Sequence, residues 1–155
     1  MRIAPLTPEH AADICTWRYP APYACYDMTG ADPDWLVQPE SGFHAVLDDH
    51  DELVGFRSYG ADGQVPGWAY DDRALDTGGG LRPRLTGTGL GRDAIATGLA
   101  FGREHFTPTA FRVTVASFNA RALRVVESLG FERFGRFDAA TDGRSFEVLV
   151  RPERA

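Results

Sequence analysis

Lysine is absent from this chain: all sixteen basic residues are arginine. A phosphate loop of the Gly-x-x-x-x-Gly-Lys-Ser/Thr type needs a lysine, so that class is excluded. Covalent catalysis through a lysine imine is excluded with it. Cysteine is scarce. Cys15 and Cys25 are the only two, too few for a disulfide framework, and a reducing cytoplasm is the expected setting. No apolar run approaches membrane-spanning length. The opening MRIAPLTPEH lacks the apolar stretch of a secretion signal. Positive charge is not in excess either. A formal net charge of -6 argues against general nucleic-acid binding, and no metal site is expected.

What is present is ordinary in bulk. The 155 residues are 43% hydrophobic and 25% charged, which reads as one globular domain over residues 1–155. Residues 1–5 read as a strand. Thr7 reads as an N-cap with Pro8 at the first helical position, and the helix runs to about Trp17. Prolines at 20, 22, 33 and 39 forbid a long helix in the next segment, although Asp32–Val37 can form a turn of one. Residues 43–47 and 52–60 read as a hairpin, 64–70 as a weaker strand and 74–81 as a strand that ends in glycines. Apolar spacing predicts a helix from Gly91 to about His105. A strand over 111–115, a helix over 118–130 closed by Gly130, and a final hairpin around Asp142-Gly143 complete the order. Strand–helix–strand passages favour parallel pairing and hairpins favour antiparallel pairing. The expected fold is therefore α/β, a mixed and mostly antiparallel sheet with helices on both faces.

Glycine, by contrast, is concentrated. The stretch LDTGGGLRPRLTGTGLGRDA, residues 75–94, contains six glycines between a strand and a helix start. Amides at a helix N-terminus have no intrahelical partner and lie at the positive end of the helix dipole. Glycine lets a ligand approach them closely. With Arg84 and Arg92 on either side, the stretch points to an anion site, most simply for phosphate. A tight surface turn is the competing reading. A dinucleotide fingerprint requires Gly-x-Gly-x-x-Gly, but Gly87-Thr88-Gly89-Leu90-Gly91 is spaced differently. The following strand also lacks the acidic residue that such a site needs.

The spacing resembles another pattern. Arg84-Leu85-Thr86-Gly87-Thr88-Gly89 is similar to the Q/R-x-x-G-x-G/A signature of the GNAT superfamily of acetyl-CoA-dependent N-acetyltransferases. Asn119-Ala120-Arg121-Ala122, followed by Leu129-Gly130-Phe131, resembles that family's next helix. The resemblance implies a parallel central strand pair and acetyl-CoA as co-substrate. It places the coenzyme's diphosphate on the backbone of Gly87, Thr88, Gly89, Leu90, Gly91 and Arg92. Gly80 and Leu81 would pair with the pantetheine arm, and Asn119 would contact it from the following helix. Many members carry a tyrosine seven residues after this asparagine as proton donor. Here that position is Val126, two helical turns on, which cannot donate a proton.

The implied reaction is attack of a primary amine on the thioester, in a ternary complex. The amine must lose a proton first, and a carboxylate is the expected acceptor, directly or through water. Asp76, on the strand leading into the glycines, is the first candidate, weighed equally against a structural hydrogen bond. Glu52, Asp71 and Asp72 are weaker ones. Trp17, Tyr23, Tyr26 and Trp35 are expected to wall the acceptor pocket, since aromatic faces suit a cationic amine; the alternative is that these rings cap the core. The acceptor stays open between a small-molecule amine and a peptide N-terminus, and a homodimer is compatible with the reading. The alternative function is a non-catalytic acyl-CoA-binding or sensor domain, for which Val126 is the best support.

Overall fold

The computed structural model describes residues 1–154. Seven strands form one sheet in the order β1-β2-β3-β4-β5-β7-β6. The strands are β1 (Arg2–Pro5), β2 (Phe43–Leu47), β3 (Leu53–Tyr59), β4 (Leu75–Leu81), β5 (Ala110–Ala116), β6 (Glu132–Asp138) and β7 (Ser145–Pro152). All neighbours are antiparallel except β4 and β5. The mixed sheet with a parallel central pair is thus as expected. Among the described residues no helix is long and apolar enough to cross a membrane.

Four α-helices cover the sheet: α1 (Pro8–Ile14), α2 (Pro33–Leu36), α3 (Leu90–Phe106) and α4 (Ala120–Ser128). Local chemistry sets their starts. Thr7 caps α1 by accepting from the His10 amide, and Pro8 follows at its first position. Asn119 caps α4 by accepting from the Ala122 amide at 3.1 Å. Ile14, Trp17 and Leu36 pack with Phe56 on one face of the sheet. Leu99, Leu123 and Val126 pack with Phe111 and Leu149 on the other. Helices therefore lie on both faces, α1 and α2 opposite α3 and α4.

Two sequence expectations shift. The first helix stops at Ile14, and Cys15 caps it. The weak strand at 64–70 is not a strand. Pro66 lacks an amide to join a ladder, and the segment folds over the sheet as a loop. There the Tyr70 hydroxyl takes the Val65 amide at 2.9 Å and meets Thr114 Oγ1 at 2.9 Å.

The parallel pair is the fold's decisive feature. β4 and β5 pair only at Leu75↔Phe111 and Asp76↔Arg112, and then they part. At this apex Asp76 and Arg112 form a two-pronged ion pair, with Nε–Oδ1 at 2.6 Å and Nη2–Oδ2 at 2.7 Å. Asp76 is 4% exposed. Asp71 adds its carboxylate at 3.1 Å and its carbonyl at 2.8 Å to the same guanidinium, and the Tyr70 ring lies 5.1 Å beneath it. Removing one member of a buried pair strands the other charge, which costs about 3–5 kcal/mol. Asp76→Asn is expected to lower stability by roughly that amount, read as a fall in the thermal midpoint.

Candidate active site

Beyond the apex, β4 has one paired edge and one open edge. Its ladder with β3 keeps a constant register from Tyr59↔Thr77 to Gly55↔Leu81. The Gly60 amide bonds the Asp76 carbonyl at one end of that ladder, and the Arg82 amide bonds the Val54 carbonyl at the other. Antiparallel bonding alternates, so Asp76, Gly78, Gly80 and Arg82 turn their backbone groups to β3. Thr77, Gly79 and Leu81 turn theirs into the gap. This corrects the expectation for Gly80, whose amide and carbonyl belong to the β3 ladder; Gly79 and the Leu81 amide present the free edge. Gly80 matters for space instead. A Cβ there would stand 3.1 Å from the Tyr19 hydroxyl and 3.1 Å from the Phe56 ring.

At the wide end, β4 leads through a short 3-10 turn (Pro83–Leu85) into Thr86–Gly89 and α3. Among the described residues no protein acceptor meets the amides from Gly87 to Arg92. Gly87 has φ 75° and Gly89, the helix N-cap, has φ 88°. Left-handed backbone of this kind costs an ordinary L-residue about 1–2 kcal/mol. These two positions need glycine to aim the amides outward. Gly89 has open space where a side chain would be. The Thr88 hydroxyl donates to the Leu85 carbonyl at 2.6 Å and steadies the loop. Leu90 opens the helix, and Gly91 sits beside the Leu81 side chain. Arg84 is exposed and, among the described residues, has no ion pair. Arg92 reaches Ser128 Oγ at 3.3 Å.

A roof closes over the gap. Tyr19 donates to the Leu81 carbonyl at 2.6 Å. Burial, with the nearby Asp27 carboxylate, pushes its phenol pKa up to about 12. Tyr26 accepts from Asn119 Nδ2 at 3.1 Å, and burial raises its pKa as well. Tyr23 and Tyr26 both pack on Phe118, at 5.6 and 6.2 Å. Arg121 stacks on the Tyr23 ring at 4.8 Å and points its Nη1 toward Gly87. The segment after α1 therefore ties the free edge of β4 to the start of α4. Asn119 is both cap and tie, and one of its two amide protons remains free.

The other expected residues separate. Trp17 is 4% exposed in the core, with its indole N–H on Asp13 at 3.0 Å, so it walls no pocket. Trp35 stands 44% exposed on α2 without an aromatic partner. Val126 is 3% exposed and fills the core between α4 and the sheet. Asp76 corrects the largest expectation. Both its oxygens are held by Arg112, and Oδ2 also takes the Gln64 amide at 2.9 Å. A base needs a lone pair aimed at the substrate; this carboxylate is an anchor of the sheet. Of the weaker candidates, Asp71 joins the same anchor, while Glu52 is exposed at the β2–β3 turn.

Sequence reasoning missed Gly79, Tyr19, Arg121 and Arg57. Arg57, on β3, is 6% exposed. Among the described residues it has no carboxylate partner. Its Nη2 donates to Thr77 Oγ1 at 3.3 Å and its Nε has no partner. Burial pulls its pKa down to about 10, so it stays charged at neutral pH. It borders a cavity of about 110 Å³ with Gly79, Gly80, Leu81, Gly91, Ala94 and Ile95. A larger apolar cavity of about 420 Å³, between α2, β2 and Phe106, lies away from this gap.

An opened parallel pair with a bare strand edge, and unpaired amides at its wide end, defines a protein that takes an extended, phosphate-bearing molecule between its strands. The GNAT acetyltransferase family model matches residues 10–131, and the chain belongs to that family. It is an acyl-CoA-dependent N-acetyltransferase that acts on amines, with acetyl-CoA as acyl donor. Solved structures share the fold. The aminoglycoside acetyltransferase AAC(6')-Ib in complex with coenzyme A is 18% identical at TM-score 0.75, with 98% of this chain and 94% of that one covered. A spermidine N-acetyltransferase SpeG chimera from Vibrio cholerae and hSSAT is 16% identical at TM-score 0.75, covering 97% and 93%. A GNAT acetyltransferase from Bacillus anthracis is 13% identical at TM-score 0.74, covering 97% and 93%. No curated protein matches by sequence.

The residues present fit the coenzyme: a bare strand edge for an amide-bearing arm, and outward amides with unpaired arginines for a diphosphate. At a hundredfold excess over Kd, acetyl-CoA is expected to add about 2.7 kcal/mol of stability. Gly89→Glu is expected to fold and to lose that thermal shift. A second measurement probes the roof. The Tyr19 phenol has its pKa raised above the usual value near 10, so between pH about 10 and about 12 the folded chain binds more proton than the unfolded one. Its contribution is complete below pH 10 and is lost as pH rises through that window. Tyr19→Phe is expected to flatten the alkaline fall in stability and to cost about 1 kcal/mol at neutral pH for the lost bond.

Proposed function

We propose that the chain, as one domain over residues 1–155, transfers the acetyl group of acetyl-CoA to a primary amine by direct attack within a ternary complex. The observation that carries this reading is the bare edge of β4 opposite β5, leading from unpaired amides to a closed apex. Acetyl-CoA supplies an activated carbonyl and a thiolate leaving group. Amides from Gly87 to Arg92 would hold the diphosphate, with Arg84 and Arg121 adding positive charge. Gly79 and the Leu81 amide would pair with the arm, and the free amide proton of Asn119 would reach it from the other side.

The acceptor enters under the roof formed by Tyr23, Tyr26 and Phe118. A small-molecule amine suits this space, and the spermidine and aminoglycoside acetyltransferases named above have such substrates in their names; a peptide N-terminus is the second acceptor class. With Asp76 held by Arg112, the amine's proton leaves to water rather than to that carboxylate. A thiol with a pKa near 8.5 departs as thiolate without a dedicated acid, which is consistent with a core valine at position 126.

The test is a panel of diamines, polyamines, aminoglycosides, amino acids and short peptides with acetyl-CoA, followed by thiol release. Turnover is expected to rise with pH through the neutral range as the amine deprotonates, and then to level off. Tyr26→Phe is expected to slow it less than about tenfold; the larger loss typical of general acid catalysis, 10²-fold or more, would make Tyr26 the proton donor. Coenzyme binding with no thiol release from any amine would leave a binding domain instead.

A further inference from the structure

Among the described residues, Arg57 Nε and Arg144 Nε are buried without a hydrogen-bond partner. Such atoms are few in a native structure, and each calls for an explanation. Arg57 lies deep beside Gly98 of α3. Arg144 lies on the roof. It stands one residue before β7, in the hairpin that follows β6. Its guanidinium is 5.7 Å from the centre of the Phe118 ring, the ring on which Tyr23 and Tyr26 both pack. Its ion-pair partner is Asp142 of the same turn, at 3.7 Å. That is beyond hydrogen-bond length, and the other Asp142 oxygen accepts from the Arg144 backbone amide at 2.9 Å. The Arg144 side chain is 38% exposed, so a solute reaches the guanidinium without unfolding anything.

The charge around the roof decides what could complete it. Burial raises the pKa of the Cys25 thiol and of the Tyr26 phenol, and the Arg144 charge draws both partly back. A second guanidinium, that of Arg121, stacks on the Tyr23 ring at 4.8 Å. Asp27, the carboxylate of the roof segment, has one oxygen committed to the Tyr19 amide at 2.8 Å. An acceptor that passes under Tyr23, Tyr26 and Phe118 therefore meets two cations mounted on aromatic faces. A polyamine or an aminoglycoside brings more positive charge to that surface, and like charges repel. An amine that carries a carboxylate brings the missing partner. A guanidinium presents a planar fork that suits a carboxylate in two-pronged fashion, and in Arg144 that fork stacks on a ring and holds no acceptor.

We infer that Arg144 binds a carboxylate of the acceptor, so that the amines acetylated are free amino acids rather than polyamines or aminoglycosides. The inference rests on the acyl-transfer reading above and names the acceptor class of that same site. The chemistry balances as for any amine. The uncharged amino group attacks the thioester carbonyl, the N–C bond forms, the C–S bond breaks, one amine proton leaves to water, and coenzyme A departs as thiolate. The carboxylate takes no part in these bond changes. It fixes the direction in which the acceptor lies.

The experiment measures kcat/KM with acetyl-CoA for matched acceptors: leucine and leucinol, methionine and methioninol, phenylalanine and phenylalaninol, with spermidine and an aminoglycoside as polycations. Each amino alcohol keeps the amine and the carbon skeleton and lacks the carboxylate. The wild type is expected to favour an amino acid over its alcohol by roughly ten- to a hundredfold, the span of a charge-assisted hydrogen bond. Arg144→Met should bring that ratio to about one. Arg144→Lys should keep part of it, since it retains the charge without the fork. Asp142→Asn removes the competing carboxylate and should hold or raise the ratio. A wild type that treats the pairs alike or prefers the polycations overturns the inference, and so does an Arg144→Met variant that keeps the ratio or an Asp142→Asn variant that loses it. If Arg144→Met does not fold, the wild-type ratio and Arg144→Lys decide. Acetyl-CoA binding is followed by calorimetry on every variant. Acetylation of amines without carboxylates alone sinks this inference and leaves the function proposed above standing; coenzyme binding with no amine acetylated sinks both.

Discussion

The two-pronged contact between Asp76 and Arg112 sits where the sheet stops being a sheet. Parallel strands held along their full length would leave no room between them. Strands not held at all would leave a floor with no shape. Pairing over two positions and then parting produces a wedge with a closed, charged, buried tip. The hydrogen bonds to Asp71 and Gln64 and the Tyr70 ring fix that tip from the side where the 60–73 loop crosses the sheet. Every other element of the site is measured from it. The bare edge of β4 starts one residue beyond it, and the roof and α3 close the wide end.

Much of this was legible in the sequence. The β–α order, the caps at Thr7 and Asn119, the strand that ends in glycines and the helix behind it could be read because they rest on local chemistry. So could the need for glycine in the loop ahead of α3, where Gly87 and Gly89 do take left-handed backbone. The reading failed where long-range pairing decides the matter. That Gly79 rather than Gly80 faces the gap is a matter of parity, set by register against β3. That Asp76 is an anchor depends on Arg112, thirty-six residues away. Tyr19 and Leu81 are sixty-two residues apart, and nothing local in either stretch pairs them.

The aromatic residues show the same division. Four were expected around the acceptor, from the family resemblance of their segment and because aromatic faces suit a cationic amine. Tyr23 and Tyr26 lie in the roof over the gap because a 3-10 turn carries them onto Phe118. Trp17 went to the core because α1 ends three residues before it and points it inward at Phe56 and Arg82. Trp35 went to the surface because α2 spends its inward position on Leu36. Period and burial sort these rings, and the segment between α1 and β2 has too little regular structure for a period to be read.

The arginines have a chemical consequence. The side-chain ion pairs of this fold, from Asp76–Arg112 to Asp13–Arg82 and Glu153 with Arg103 and Arg151, all use guanidinium as the cation. A guanidinium keeps its proton throughout the working pH range and offers no lone pair to an electrophile. An ε-amine in the same places would shed its proton readily when buried and become a nucleophile. The enzyme thus handles an acylating agent while exposing no side-chain amine of its own to it. Its charges hold the structure together and are inert toward its own reagent.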